Sequence, residues 1–401
     1  MVTCDFLIIG GGIIGISIAR ELKKRYPNAS QILIEKEADF GLHASGRNSG
    51  VLHAGFYYTA DSFKAKFTQK GNQRLTEYCA SKNIPVNRCG KLVVAKNEAE
   101  LSQLDELMAR AQANGVSMDS ITEKEAKNIE PRVKTFERAL FSPTTASVNP
   151  SEVVQAMRED SLNEGIEMKS QVRYMKKLDN NIIKTSQGNI EFGYMINTAG
   201  LYADKIALDF GFSKDYRILP FKGLYLYSKE PAGSFQTNIY PVPDLRNPFL
   251  GVHFTVTAGK KAKIGPTAIP AFWREQYKGL SKFNFDELLE ILFRQAGLFW
   301  SSDFDFKTLA FEELQKYSRE KMVSLASSLA EGVELKNFQK WGEPGIRAQL
   351  LNIRKRKLEM DFVTEGDNKS LHILNAVSPA FTCALPFADF ACDKIAELSR
   401  S

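Results

Sequence analysis

The chain has 401 residues and is mildly basic, with 53 lysines and arginines, 47 aspartates and glutamates and a net charge of +6. This length can bury a large core and favours two domains, and so modest a charge argues against a nucleic-acid-binding protein. Five scattered cysteines and four histidines without metal-ligand spacing predict neither structural disulfides nor a bound metal. No apolar run reaches the roughly 20 residues that span a bilayer, and the first strand begins near Asp5, so we expect a cytoplasmic protein.

The first 35 residues predict a strand, a glycine turn, a helix and a second strand. Apolar residues 6–9 precede the turn, helical spacing continues to Tyr26, and apolar residues 31–34 end at an acid. A G-x-G-x-x-G turn in this context presents backbone N–H groups and a helix N-terminus to a pyrophosphate, and the acid accepts hydrogen bonds from ribose. The motif predicts dinucleotide binding without selecting the dinucleotide, and it consists of Gly10, Gly12, Gly15 and Glu35.

Further elements follow in an alternating order. Helices are predicted at 61–82, 98–114, 151–163 and 386–398 and within 285–331, and strands at 90–95, 165–168, 194–197 and 371–375. The strand at 165–168 could rejoin the first sheet. Residues 221–264 are rich in β-formers and turns and predict an antiparallel sheet. The basic residues 354–357 predict a solvated hairpin loop.

The segment that follows the acid is small, polar and glycine-rich: Ala44-Ser45-Gly46-Arg47-Asn48-Ser49-Gly50-Val51-Leu52-His53-Ala54-Gly55. It resembles the second flavin-contacting segment of the D-amino-acid-oxidase-like FAD oxidoreductases. With Phe56-Tyr57-Tyr58 and Ser62-Phe63-Lys64-Ala65-Lys66 it resembles more narrowly the L-2-hydroxyglutarate dehydrogenase/oxidase family, which reads N-S-G-V-[IL]-H-[AS]-G-x-Y-Y. Segments 238–244, 248–255, 264–266, 347–349 and 375–380 also match, so the resemblance covers nearly the whole chain.

The resemblance implies a mixed α/β fold, with a Rossmann-like FAD-binding domain of the glutathione-reductase/D-amino-acid-oxidase type and an inserted antiparallel-sheet substrate domain. The order of the cofactor-like segments predicts a discontinuous FAD-binding domain at 1–85, 146–215 and 340–401, and a substrate domain at 86–145 and 216–339. FAD is expected to be non-covalent, with attachment through His53 as the alternative. Beyond the glycine motif, the implied FAD contacts are Lys36, Ser45, Arg47, Asn48, Ser49, Val172, Ala199, Gly200, Gly345, Ser378, Pro379 and Ala380.

The family implies oxidation of L-2-hydroxyglutarate to 2-oxoglutarate, with a hydride passing from the α-carbon to flavin N5. The catalytic base should titrate near neutral pH, which favours a histidine. We predict His253 as the base and a substrate contact, with His53 as the alternative, and structural roles for His43 and His372. Because the planar guanidinium of arginine can form two parallel hydrogen bonds to a carboxylate, we predict that Arg347 binds the α-carboxylate. Two weaker candidates for the distal carboxylate are Lys222 and Tyr240.

An electron acceptor is the second expected partner: a quinone, an electron-transfer protein or oxygen. Peripheral contact with the inner membrane stays open. The sequence departs from the family at Arg47, where histidine is frequent, at Leu224, at Thr267, and at Glu343-Pro344. The departures at 224 and 267 fall in the substrate domain and weaken the prediction of the exact acid. The alternatives are a flavoenzyme for an amine such as glycine or sarcosine, one for glycerol 3-phosphate, a non-catalytic flavin-fold binding module, and an RNA-modifying flavoprotein.

Overall fold

The computed structural model describes residues 1–244, 249–300 and 306–400, so Pro248 of the predicted motif lies outside the described residues. The helices are α1 (Ile13–Arg25), α2 (Phe63–Ser81), α3 (Leu101–Ala113), α4 (Glu123–Ile129), α5 (Pro150–Asn163), α6 (Ala203–Asp209), α7 (Phe285–Trp300), α8 (Phe306–Gln315), α9 (Arg319–Ser327) and α10 (Ala380–Leu398). The strands are β1 (Val2–Ile9), β2 (Gln31–Ile34), β3 (Val51–Leu52), β4 (Lys91–Val94), β5 (Asp119–Thr122), β6 (Arg138–Ser142), β7 (Ala146–Ser147), β8 (Glu167–Lys169), β9 (Tyr174–Asp179), β10 (Ile182–Thr185), β11 (Gly188–Asn197), β12 (Tyr216–Gly223), β13 (Leu226–Ser228), β14 (Asn238–Pro241), β15 (His253–Val256), β16 (Ala262–Gly265), β17 (Ile269–Pro270), β18 (Phe338–Trp341), β19 (Gly345–Asn352), β20 (Lys357–Leu358), β21 (Val363–Gly366) and β22 (Ser370–Asn375).

The chain divides into two compact units. The first comprises Met1–Asn48, Pro150–Pro220 and Arg347–Ser401, and the second comprises Ser49–Asn149 and Phe221–Ile346. The division differs from the predicted domains mainly at 49–85, which the structure groups with the second unit. The reason is local packing, since Phe56 and Tyr57 share a core with α3, and the Asn114 side chain donates hydrogen bonds to two carbonyls of the 55–58 segment.

The first unit is built on a sheet with the order β21-β22-β11-β1-β2-β8, and β9 and β10 extend it as a hairpin beside β11. Strands β22, β11, β1, β2 and β8 are parallel, and β8 rejoins the sheet as the sequence predicted. The apolar runs of β1 and β2 are buried, which suits strands covered on both faces. Helix α1 packs against α5 and α10. All five parallel strands therefore end at the same edge.

The closing helix begins earlier than predicted. The sequence placed its start at Pro386, whereas α10 begins at Ala380 and contains that proline in its interior. Proline usually ends a helix because it lacks an N–H and crowds the preceding turn. Here the buried apolar face of α10 outweighs that local preference, with Cys383, Phe387 and Ala391 fully buried. The prediction of this boundary was wrong because tertiary packing overrides a single proline.

The second unit contains a sheet with the order β18-β13-β16-β15-β14-β4-β6-β5. Its pairs are antiparallel, as predicted, apart from the parallel pair of β14 with β4. One face packs on α9 through an apolar core that includes Leu92, Ile239, Phe254 and Ile264. Of the basic residues 354–357, in the other unit, 354–356 lie in an exposed hairpin turn between β19 and β20, and Lys357 begins β20. Among the helices described, none combines the length and apolar character that crossing a bilayer requires.

Candidate active site

The glycine turn after β1 leaves no space for side chains. Gly10 has φ +110°, and a Cβ on Gly15 would lie 2.1 Å from the Gly10 carbonyl oxygen, so α1 can approach β1 only with glycine here. A Cβ on Gly12 would lie 3.0 Å from Ser45 Oγ, which itself accepts a hydrogen bond from the Ile13 N–H at 2.9 Å. The first N–H groups of a helix lack intrahelical partners and attract anions. This turn therefore fits a phosphate-bearing cofactor.

Glu35 is tied to the same turn. Its carboxylate accepts hydrogen bonds from the Gly11 N–H at 2.8 Å and from the Glu37 N–H at 2.9 Å, and the residue is only 9% exposed. A carboxylate has about four acceptor sites, so the two remaining ones suit ribose hydroxyls. The neighbouring Lys36 is half-buried and pairs with the Glu37 carboxylate at 2.6 Å.

The carboxyl edge of the parallel sheet collects most of the predicted cofactor residues. The ends of the strands are in register, since Ile9 lies opposite both Ile34 and Asn197. The Thr198 hydroxyl, which the sequence analysis missed, donates to the carbonyls of Ile9 at 3.0 Å and Gly10 at 2.9 Å and fixes β11 to the glycine turn. Ligands of open α/β sheets bind at this edge. The residues that follow the strand ends here are Gly10, Gly12, Glu35, Lys36, Val172, Ala199, Gly200, Ser378, Pro379 and Ala380.

Four other predicted FAD contacts, Arg47, Asn48, Ser49 and Gly345, belong to other segments. In the 41–48 turn, Arg47 Nε donates to the Leu42 carbonyl at 2.7 Å, and Asn48 Nδ2 donates to the Ser45 carbonyl at 2.8 Å. These bonds shape the loop that carries Ser45. Ser49 and Gly345 belong to the second unit, where Ser49 Oγ accepts from the Val51 N–H and Gly345 begins β19 as a buried residue.

The second sheet has one polar buried face. Along each strand, side chains alternate between faces, and paired residues share a face. Ile239, Phe254 and Ile264 are paired neighbours on the apolar face. Their sequence neighbours therefore point the other way, and the opposite face is formed by Lys91, Val93, Asn238, Tyr240, His253, Thr255 and Lys263. Two of the predicted substrate residues thus lie side by side on this face.

His253 and Tyr240 form a stacked pair in which the ring centroids are 3.6 Å apart and the ring planes differ by 20°. Both are buried, with exposures of 4% and 1%. His253 Nδ1 is 2.9 Å from the Gly251 carbonyl oxygen, which only accepts hydrogen bonds. The Nδ1 atom therefore carries the proton and donates, and the lone pair of the neutral ring is on Nε2. Burial raises the pKa of Tyr240, so its hydroxyl stays protonated.

Lys91 was missed by the sequence analysis. The residue is fully buried, and its Nζ lies 4.2 Å from the ring centroid of Tyr240, 5.0 Å from that of Tyr57 and 5.3 Å from that of Phe56. No described residue makes a hydrogen bond to Nζ. Burial lowers the pKa of Lys91 to about 7. The available signal was a lysine at the start of the apolar run Leu92-Val93-Val94, where a surface residue is unexpected.

His53 belongs to the same cluster. It follows β3 and is 7% exposed. Burial lowers its pKa well below the usual value, and the charges of Lys91, His253 and Lys64 lower it further. His53 is therefore neutral at neutral pH and is a weak proton acceptor. The structure thus brings both candidate bases together in one unit.

Lys222 is buried on β12, and burial lowers its pKa. The hydroxyl of Thr267 donates to the Lys222 carbonyl at 2.9 Å and accepts from the Leu224 N–H at 3.0 Å. The two substrate-domain departures from the family pattern, at 224 and 267, are therefore coupled. Thr267 uses its hydroxyl to hold the backbone on both sides of Gly223.

The remaining predicted residues lie in the first unit. Arg347 is half-buried on β19, at the point where the chain enters this unit. His43 Nε2 lies 2.9 Å from a Glu37 carboxylate oxygen. His372 is fully buried, with its ring nitrogens 3.1 Å from Asn197 Nδ2 and 3.1 Å from Ser370 Oγ. Both histidines that were predicted to be structural are thus in hydrogen-bonded positions.

Comparison with known proteins agrees with this architecture. The family model described as FAD dependent oxidoreductase matches residues 5–347. The mitochondrial L-2-hydroxyglutarate dehydrogenase of Nematostella vectensis is 35% identical over 98% of this chain and 90% of its own. The L-2-hydroxyglutarate dehydrogenase of Escherichia coli (strain K12) is 34% identical over 99% of this chain and 94% of its own.

A solved structure shares the fold. Dithionite-reduced L-α-glycerophosphate oxidase from Mycoplasma pneumoniae, with FAD bound, superposes with a TM-score of 0.78 and covers 99% of this chain and 95% of its own at 20% identity. The predicted fold class, an α/β protein with the FAD-binding architecture of the D-amino-acid-oxidase type, is confirmed. The chain belongs to the L-2-hydroxyglutarate dehydrogenase family of FAD-dependent oxidoreductases.

Proposed function

We propose that this protein oxidises L-2-hydroxyglutarate to 2-oxoglutarate. The observation that carries the proposal is 35% identity, over nearly the full length of both chains, to an enzyme of that name. Bound FAD supplies the hydride acceptor for the α-carbon of the substrate. The protein then has to hold the cofactor, orient the hydroxy acid and accept the hydroxyl proton.

The residues at the carboxyl edge of the first sheet would hold FAD. The N-terminus of α1, which begins after Gly12, suits the pyrophosphate, and Glu35 suits the ribose hydroxyls. Ser378 and Pro379, before the N-terminus of α10, and the small residues Ala199 and Gly200 would lie along the cofactor. The close packing at the glycine turn supports this assignment, because a side chain in place of these glycines would fill the space through which the cofactor reaches the backbone.

His253 is proposed as the base that takes the proton of the substrate 2-hydroxyl on Nε2. Donation of Nδ1–H to the Gly251 carbonyl supports this role, because it fixes the tautomer with its lone pair on Nε2. The Tyr240 ring limits rotation of the imidazole. His53 is a poorer candidate, because burial and the neighbouring positive charges hold its pKa well below neutrality.

The two carboxylates of the substrate call for separate cationic contacts. Arg347 is proposed for the α-carboxylate, since a guanidinium offers two parallel N–H donors. Lys222 and Tyr240 are proposed for the distal carboxylate. A carboxylate beside Lys222 would offset the burial that lowers its pKa and would favour the charged lysine.

The electrons must leave the reduced cofactor for a second substrate, which we propose to be a quinone, an electron-transfer protein or oxygen. A quinone would be met at a bilayer surface, and peripheral membrane contact belongs to the same proposal. Its support is the exposed apolar row of Phe285, Leu289 and Phe293 along α7, at helical spacing. Co-sedimentation of the purified protein with lipid vesicles tests that contact.

The experiment for the proposed function is anaerobic mixing of the purified holoenzyme with L-2-hydroxyglutarate while the visible flavin band is followed. Parallel samples receive D-2-hydroxyglutarate, sarcosine or glycerol 3-phosphate. We expect only the L isomer to bleach the band, and admission of air then tests oxygen as the acceptor. The matched variant His253→Asn should remain yellow and reduce about 10²- to 10⁴-fold more slowly, which is the usual contribution of a positioned base. Bleaching by sarcosine or glycerol 3-phosphate alone would refute the proposed substrate.

A further inference from the structure

Three neighbouring strands present a cation, a tyrosine and a histidine on the same face of the sheet. Tyr240 is paired with Val93, and Lys91 lies one position further along that face, opposite Asn238. Lys91 lies on β4, Tyr240 on β14 and His253 on β15, and these strands are adjacent in the sheet. The Tyr240 ring centroid is 4.2 Å from Lys91 Nζ and 3.6 Å from the His253 ring centroid. Strand β14 lies between β4 and β15 in the sheet, so Lys91 and His253 approach Tyr240 from opposite neighbouring strands. The tyrosine is therefore held between the ammonium and the imidazole.

The Lys91 ammonium is surrounded by aromatic rings. No described residue forms a hydrogen bond to Lys91 Nζ, which besides Tyr240 lies 5.3 Å from the ring centroid of Phe56 and 5.0 Å from that of Tyr57. A cation over aromatic faces is stabilised by the ring quadrupoles, and more strongly when water is excluded. An isolated buried ammonium is otherwise unfavourable. Contact with the rings therefore offsets part of the cost of burying this ammonium.

We propose that Lys91 is a positioning residue that holds Tyr240, and through it the His253 imidazole, in the orientation for proton transfer. The catalytic consequence rests on the proposed function, whereas the effect on the stack does not. Tyr240 belongs to the strand between those of Lys91 and His253, so we expect Lys91 to act through Tyr240 rather than by direct contact with substrate at His253. Loss of the lysine should thus lower mainly the rate of the chemical step, with a smaller effect on substrate affinity through the proposed contact of Tyr240 with the distal carboxylate.

The test uses two variants and a control. Lys91→Met removes the charge and keeps the length, and exchange of a buried charge for an apolar group is often neutral for stability. Lys91→Arg keeps a cation that can lie over the ring. The control is Lys263→Met, which removes another buried lysine from the same face, where it lies 4.4 Å from the Tyr225 ring centroid.

The first readout is nuclear magnetic resonance of the holoenzyme labelled only in histidine. The chain has four histidines, so the His253 signal can be assigned with His253→Asn. Stacking on Tyr240 shifts the ring protons of His253 upfield. We expect Lys91→Met to lose most of this shift and Lys91→Arg and Lys263→Met to retain it. An unchanged His253 signal in Lys91→Met would overturn the proposal, whatever the substrate.

The second readout is kinetics with L-2-hydroxyglutarate, per mole of bound FAD. In Lys91→Met we expect kcat to fall about 10- to 100-fold, as for a small displacement of a reacting group, and KM to stay within about threefold. Lys91→Arg should recover most of the rate. A raised KM with unchanged kcat would instead assign Lys91 to substrate binding and refute the positioning role. If the wild type leaves L-2-hydroxyglutarate unreacted, the proposed function fails, and the resonance experiment still decides the stack.

Discussion

His372 should make the stability of the protein depend on pH in a defined window. Asn197 Oδ1 accepts from the Ala199 N–H, so Asn197 Nδ2 is the atom that donates to His372 Nδ1. The His372 Nε2–H then donates to Ser370 Oγ. A second proton on Nδ1 would face the amide donor inside a fully buried site. Burial, with a smaller contribution from Lys177, lowers the pKa of His372 to about 3, against the opposing charge of Asp367.

The sign and size of the effect follow from this pKa. The unfolded chain takes up a proton below pH 6.5, whereas the folded protein does so only near pH 3. The stabilisation is therefore complete above pH 6.5 and is lost as the pH falls toward 3. One pKa unit corresponds to about 1.4 kcal/mol, so lowering the pH from 7 to 5 should remove about 2 kcal/mol through this histidine alone.

The assay is urea unfolding of the wild type and of His372→Asn between pH 5 and 7. Asparagine offers an acceptor oxygen near the position of Nδ1 and does not titrate. We expect the variant to lose about 2 kcal/mol less than the wild type over this range, after its own loss at pH 7 is subtracted. Parallel pH dependences for the two proteins would show that His372 is not held neutral and would refute the reasoning.

Two further predictions concern the glycine turn after β1 and the two hydrogen bonds that the Thr267 hydroxyl makes on either side of Gly223. Gly15→Ala should give colourless protein, because the added Cβ would lie 2.1 Å from the Gly10 carbonyl oxygen, whereas Gly259→Ala, with open space around it, should stay yellow. Absorbance of the flavin per mole of protein measures this, and a fully loaded Gly15→Ala would contradict the steric argument. Thr267→Val should cost about 2–4 kcal/mol, since two main-chain groups lose their partner. A change below about 0.5 kcal/mol in urea unfolding would show that these bonds contribute little.

The first unit could be predicted largely from sequence because its signals are local. The glycine turn, the strands on both sides of α1 and the acid at the end of β2 follow one another within 35 residues. The parallel sheet then brings later strand ends to the same edge, and that rule needs no knowledge of side-chain contacts. Thr198 was missed because its bonds to Ile9 and Gly10 join segments about 190 residues apart.

The second unit was less predictable because its pairings are distant. The parallel pair of β4 with β14 joins residues about 150 positions apart, whereas the sequence of 221–264 predicted an antiparallel sheet. Likewise, the packing of Phe56 on α3, which places 49–85 in this unit, has no local signature. The proposed role of Lys91 could not be predicted from sequence because it depends on three aromatic rings that belong to two other segments of the chain.

The polar face of the second sheet is itself an argument for function. A sheet of this kind can bury apolar side chains on both faces, and the face toward α9 does so. The other face buries Lys91 and Lys263 and lowers the pKa of the latter to about 8. Burying an ammonium opposes folding, and apolar replacements at such positions are often neutral or stabilising. A sequence selected for stability alone would place leucine or valine there. The burial of Lys91 against the Tyr240 ring is therefore not explained by stability alone, which supports the positioning role proposed for this lysine.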